Sequence, residues 1–283
     1  MKILNLTPGF EPFGPSDFNV IKDDTFYGGE INLRIEGELG EETGILITLR
    51  TNSSADVMRL FMATDIMRRK GATHIEVFLP YLPYGRQDRA CRVGEAFSLR
   101  AFAHLINAQG YGRVYSFEAH SEVATELIDN FCSISIQRLV EHVLGTRRDV
   151  YIVYPDKGAQ KRYESLTMSY GEQCLCEKRR DDTGAITEVT VPVEDFGGKD
   201  VFIIDDILDG GRTFIEIAKV LKQKNVGSVN LIAAHGLFSY GEQPLKDGGI
   251  DHVFVSDSFK VIDSPYVTQV KLCDILTLTT THA

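Results

Sequence analysis

The chain has 283 residues, 43% hydrophobic and 25% charged, which is room for one large domain or two of about 140 residues each. A net charge of -10 argues against a nucleic-acid partner, but not against a phosphorylated small substrate whose charge is screened by a divalent cation and a few converging Lys and Arg side chains. No stretch reaches the roughly 18 consecutive apolar residues of a membrane span, and the N-terminus lacks the apolar core of a secretion signal.

The five cysteines, at 91, 132, 174, 176 and 273, are scattered and odd in number. Cys174 and Cys176 have no second pair with which to complete a zinc site, so the expectation is a cytoplasmic protein with no membrane partner.

In chain order, TFYGGEIN at 25–32 leads into a strand at 31–35, followed by strands at 44–49 and 74–79. The last of these enters a loop punctuated by Pro and Gly, ending in GRQDR at 85–89. Arg86 and Arg89 there suit bidentate contact with a polyphosphate, and suit equally a solvated charged loop. Over 96–109, Phe97, Ala101, Phe102, Leu105 and Ile106 fall on one helical face. The strand predicted at 113–118 ends at Glu118, and His120 two residues on shares its face by strand alternation. The polar stretch 141–149 divides the chain into lobes at 1–143 and 144–283.

The second lobe restarts the pattern. A strand at 150–154 runs into Pro155 and Asp156, the latter a ligand or a helix cap. EKRR at 177–180 and an alternating strand at 186–193 suggest a projecting flap. The apolar strand 201–204 delivers DDILDGGRT at 205–213, followed by a helix over 213–224 with Phe214, Ile217, Ala218 and Leu221 on one face. Two glycines leave backbone N–H groups open to a phosphate, the helix adds its positive end, and Arg212 and Thr213 add donors. Asp205 and Asp206 accept hydrogen bonds and so suit a sugar diol or magnesium-bound water. A turn with a simple helix cap is the alternative. Strands at 228–234 and 252–256 complete the alternation. The fold class is α/β, two similar lobes, each a parallel sheet covered by helices.

DDILDGGRT resembles the D-D-x-x-D-T-x-G-T loop shared by type I phosphoribosyltransferases and the ribose-phosphate pyrophosphokinases, with Gly210 in place of Thr and Arg212 in place of Gly. PYLPYGRQDR, a signature the transferases lack, the Glu118/His120 pair with Glu118 in place of Asp, Pro155–Asp156–Lys157–Gly158 with Arg162, and the EKRR flap resemble pyrophosphokinase motifs in their order. TFYGGEIN resembles that family's F-x-D-G-E loop, with Gly28 in place of Asp.

The resemblance implies a type I phosphoribosyltransferase-like fold and transfer of pyrophosphate from ATP to ribose 5-phosphate. It places Phe26, Gly28, Gly29, Glu30, Arg86 and Gln87 on ATP. Asp205, Asp206, Asp209, Gly210, Gly211, Arg212 and Thr213, with Arg180, fall to ribose 5-phosphate. It gives Lys178 and Arg180 the transferred group, and Mg2+ the ligands His120, Asp156 and Glu118. It further implies a homo-oligomer, dimer-based and up to a hexamer.

Overall fold

The computed structural model describes residues 1–180 and 186–277, without the side chains of Arg180 and Ile186. The chain forms two compact units: Met1–Ser135 together with the stretch from Leu272 on, and Ile136–Lys271.

The first unit comprises β1 (Lys2–Asn5), β2 (Asn19–Thr25), β3 (Ile31–Glu36), β4 (Gly44–Thr48), α1 (Ser54–Arg69), β5 (His74–Phe78), α2 (Ser98–Asn107), β6 (Arg113–Phe117), α3 (Val123–Leu127) and β7 (Phe131–Ile134). Its sheet runs β1-β4-β5-β6-β7, parallel throughout. Consecutive residues of β4 and β5 are buried, so both faces of these strands are covered, which is why they read as unbroken apolar runs. Ser53 caps α1 reciprocally with Asp56, and Val57, Leu60, Ala63 and Met67 face the core. Leu99, Phe102 and Ile106 do the same for α2, each stabilising by about 1.5–3 kcal/mol on burial. β2 and β3 form a separate antiparallel hairpin.

The second unit comprises α4 (Gln137–Leu144), β8 (Val150–Tyr154), α5 (Lys157–Thr167), β9 (Gly171–Leu175), β10 (Glu177–Arg180), β11 (Ile186–Thr190), β12 (Val201–Leu208), α6 (Arg212–Leu221), β13 (Val229–Gly236), α7 (Gln243–Asp247), β14 (His252–Ser256) and β15 (Val267–Val270). A short α8 (Leu272–Ile275) follows and belongs to the first unit. The sheet order is β15-β14-β13-β12-β8-β9, again parallel. β10 and β11 form the expected hairpin outside it.

Three expectations are corrected. The strand expected at 201–204 continues to Leu208, because Asp205 and Ile207 pair with Ala233 and His235 of β13. Asp205 and Asp206 are therefore strand residues, not loop residues. β6 ends at Phe117, and Glu118 takes a left-handed backbone (φ 43°), so strand alternation does not put Glu118 and His120 on one face. The strand expected at 186–193 stops at Thr190.

Candidate active site

In the second unit, the C-terminal ends of β8 and β12 collect the polar side chains. Asp206 is buried, and Arg162, one turn and a half into α5, reaches it with Nη1 at 3.0 Å from Oδ2. The same guanidinium lies 3.9 Å from Asp205 through Nη2. The Asp206 N–H donates to Asp205 Oδ1 at 2.9 Å. Burial, then the neighbouring Asp206 charge, raises the Asp205 pKa well above the usual carboxylate range. Burial works against the Arg162 charge, but Tyr163, Asp206 and Asp205 more than offset it, so its pKa lies above the ordinary arginine value.

Asp156 does two jobs at the start of α5. Its Oδ1 accepts from the Ala159 N–H at 3.0 Å, as an N-cap, and its Oδ2 accepts from Lys178 Nζ at 3.0 Å. Burial pushes its pKa up, but these two donors outweigh it and hold the carboxyl below its usual value. The cap and the polar site are thus the same residue. Asp156, Lys157, Gly158, Leu175, Cys176, Glu177 and Lys178 line a cavity of about 520 Å³. Burial, with the nearby Cys174, pushes the Cys176 thiol up to about 12.

Past β12, Asp209 accepts a hydrogen bond from the Ser239 hydroxyl. Gly211 caps α6 from the left-handed region (φ 74°), and a Cβ there would run into the Leu245 side chain, so the position requires glycine. No side chain caps α6, which leaves its first N–H groups facing the loop, with Arg212 exposed and Thr213 half-buried beside them.

In the first unit, Phe26, Gly28, Gly29 and Glu30 form the β2–β3 turn. The Phe26 N–H donates to the Glu30 carbonyl and the Gly29 N–H to the Phe26 carbonyl, both at 2.8 Å. Phe26 is 58% exposed, a ring presented to solvent rather than to a core. Arg86 and Gln87 are exposed. Their loop is pinned by the Gln87 N–H to the Tyr84 carbonyl (2.9 Å) and the Leu99 N–H to the Gln87 carbonyl (3.1 Å). Glu118 is buried and His120 exposed. Among the described residues no three His, Cys, Asp or Glu side chains are grouped to hold a metal. The Arg180 side chain lies outside what is described.

Sequence reasoning assigned no role to Arg162, Ser239 or Tyr240. Arg162 had a signal: it follows the Asp156 cap by six residues on one helix. Ser239 and Tyr240 had none.

A parallel sheet, an acidic pair at the end of a central strand, a Gly-Gly loop and a helix without a side-chain cap define an α/β protein with a polar, glycine-containing loop at the carboxyl edge of its sheet. Residues 17–110 match the family model described as the N-terminal domain of ribose phosphate pyrophosphokinase, and residues 160–281 match the phosphoribosyl synthetase-associated domain. The chain belongs to the ribose-phosphate pyrophosphokinase family. It is 28% identical over 256 residues to the ribose-phosphate pyrophosphokinase of Ureaplasma parvum (86% of this chain, 77% of that one). It is 29% identical over 282 residues to that of Mycoplasma pneumoniae (90% and 84%). The crystal structure of phosphoribosylpyrophosphate synthetase from Mycobacterium smegmatis has the same fold, with TM-score 0.80 at 22% identity over 100% of this chain and 97% of that one.

Proposed function

We propose that this protein is a magnesium-dependent ribose-phosphate pyrophosphokinase: the anomeric hydroxyl of ribose 5-phosphate attacks the β-phosphorus of ATP. The bond from that phosphorus to the α,β-bridging oxygen breaks, and AMP leaves as phosphoribosyl pyrophosphate forms. Phosphoryl transfer asks the protein mainly to position reactants and neutralise charge. The observation that carries the reading is the convergence of Lys178, Asp156, Arg162, Asp205 and Asp206 at the ends of β8 and β12.

Asp205, at the open end of β12, accepts hydrogen bonds and so suits the ribose hydroxyls, Asp206 being held in place by Arg162. Asp209, Gly210, Gly211, Arg212 and Thr213 take the 5-phosphate at the N-terminus of α6. Lys178 and Arg180 take the transferred group. Arg86 and Gln87 are assigned to the ATP phosphates, and Phe26, Gly28, Gly29 and Glu30 to its nucleoside.

Magnesium is commonly held by one or two carboxylates together with phosphate oxygens and water. A lone Asp156 carboxylate, kept ionised by its donors, fits that habit, with His120 and Glu118 as the further candidates. When bound, the ion neutralises charge on the phosphates. Family membership also supports a dimer-based homo-oligomer and a cytoplasmic location.

The test is AMP formation from ATP and ribose 5-phosphate, with and without magnesium. Consumption of phosphoribosyl pyrophosphate only in the presence of a free base would instead indicate a phosphoribosyltransferase.

A further inference from the structure

The loop after β13 lays an aromatic side chain on the sugar-phosphate loop. Phe238 and Gly241 both have left-handed backbones (φ 52° and 72°), and the Gly241 N–H donates to the Phe238 carbonyl at 3.0 Å. This tight turn carries Ser239 and Tyr240 at its tip. It is anchored to the end of β12, since the Leu237 N–H donates to the Leu208 carbonyl at 2.8 Å. The Lys260 ammonium donates to the Leu237 carbonyl at 2.6 Å, and Phe238 is buried beneath. On the far side, Glu242 accepts from the Ser264 hydroxyl at 2.8 Å and pairs with Lys246 at 3.1 Å. The tip is therefore held from both flanks.

From that tip the Ser239 hydroxyl reaches Asp209, and the Tyr240 ring lies over Gly210. A Cβ built on Gly210 would stand 2.8 Å from Tyr240 Cε2 and 2.9 Å from Cδ2. Tyr240 is 77% exposed, so core burial does not explain where its ring sits. What the ring does cover is one of two consecutive glycines. Such a pair has the most backbone freedom to lose when it closes on a phosphate.

We propose that Tyr240 is a positioning residue for sugar-phosphate binding: its ring restricts Gly210, while Ser239 fixes Asp209, so that the anion loop is ordered before substrate arrives. The inference rests on the functional reading above.

Tyr240→Ala should raise the KM for ribose 5-phosphate about two- to fivefold, the freedom a glycine regains, with the KM for ATP and the melting temperature unchanged. Tyr240→Phe keeps the ring and should restore the wild-type KM. Gly210→Ala, whose Cβ would stand 2.8 Å from the ring, displaces the ring, so adding Tyr240→Ala to it should raise the KM no further. The double variant should be no worse than the more impaired single, because both remove one contact. A wild-type KM in Tyr240→Ala, equal rises for both substrates, or additive effects in the double variant would each overturn the proposal. Calorimetric titration of ribose 5-phosphate separates the two readings. A wild-type chain that binds the sugar phosphate without turnover sinks the pyrophosphokinase assignment, and equal binding by wild type and Tyr240→Ala sinks the positioning role.

Discussion

Lys178 Nζ sits 3.0 Å from Asp156 Oδ2, an ion pair that ties strand β10 to the first turn of α5. The Lys178 side chain is only 10% exposed, so this cation is held at the wall of the cavity rather than in bulk water. Removing a charge that neutralises a transferring phosphoryl group costs about 10³–10⁵ in rate. Lys178→Ala should lower AMP release by at least about 10³-fold and leave ribose 5-phosphate binding, read by calorimetry, nearly intact. Undiminished turnover in this variant removes Lys178 from the reaction.

Arg162 holds a pair of carboxyls that would otherwise repel. Asp206 is 4% exposed in its side chain, and its Oδ2 is 3.0 Å from the guanidinium. Breaking a buried pair from one side leaves the other charge uncompensated, at a cost of about 3–5 kcal/mol. Arg162→Met should therefore lower the unfolding free energy from urea titration by about 3–5 kcal/mol, seen as a lower midpoint at unchanged m. Arg162→Lys should recover only part of it, since a single ammonium does not reproduce the two-nitrogen reach towards Asp205 and Asp206. A midpoint unchanged in Arg162→Met would show that the acidic pair is stabilised by something else.

The two site carboxyls respond to pH in opposite senses. Asp205 has a folded pKa above its unfolded value, so the folded chain binds the proton more tightly and stability falls as pH rises from about 4 through the folded pKa. Asp156 has a depressed folded pKa, so its contribution is present above about 4 and is lost as pH falls below that. Asp205→Asn should accordingly melt higher than wild type above the folded pKa, with the difference vanishing near pH 4, while its AMP formation drops. A melting difference constant across the pH series would contradict the raised pKa.

Thiol reactivity should divide by burial. Cys91 and Cys273 are exposed, whereas Cys174 and Cys176 are buried and burial raises both thiols, Cys176 to about 12. Thiolate is the nucleophile. Near-neutral maleimide treatment followed by peptide mass mapping should find Cys91 and Cys273 modified, and Cys174 and Cys176 only after unfolding. Early labelling of Cys176 would mean that the cavity wall opens.

Much of the architecture is legible because it is local. β4, β5, β8 and β13 are covered on both faces, and a strand in that environment reads as an unbroken apolar run. The faces of α2 and α6 are likewise written at helical spacing, and a Gly-Gly before a helix announces an anion loop. β2 was not legible: six of its seven residues are exposed, and only pairing with β3 makes it a strand. β1, β7, β9 and β15, four or five residues each, owe their strand state to neighbours in the same way.

By itself, then, the sequence determined the α/β class, the acidic-then-glycine loop and the order of motifs that marks the family, since each resides in a few adjacent residues. Only the tertiary structure decided that Asp205 and Asp206 are strand residues, that Lys178 meets Asp156 across 22 positions, and that Arg162 meets Asp206 across 44. It also decided that Tyr240 covers Gly210. These pairings depend on the sheet order β13-β12-β8-β9, which brings distant segments to one edge. Strand order is set by packing the whole unit, and no local run of residues encodes it.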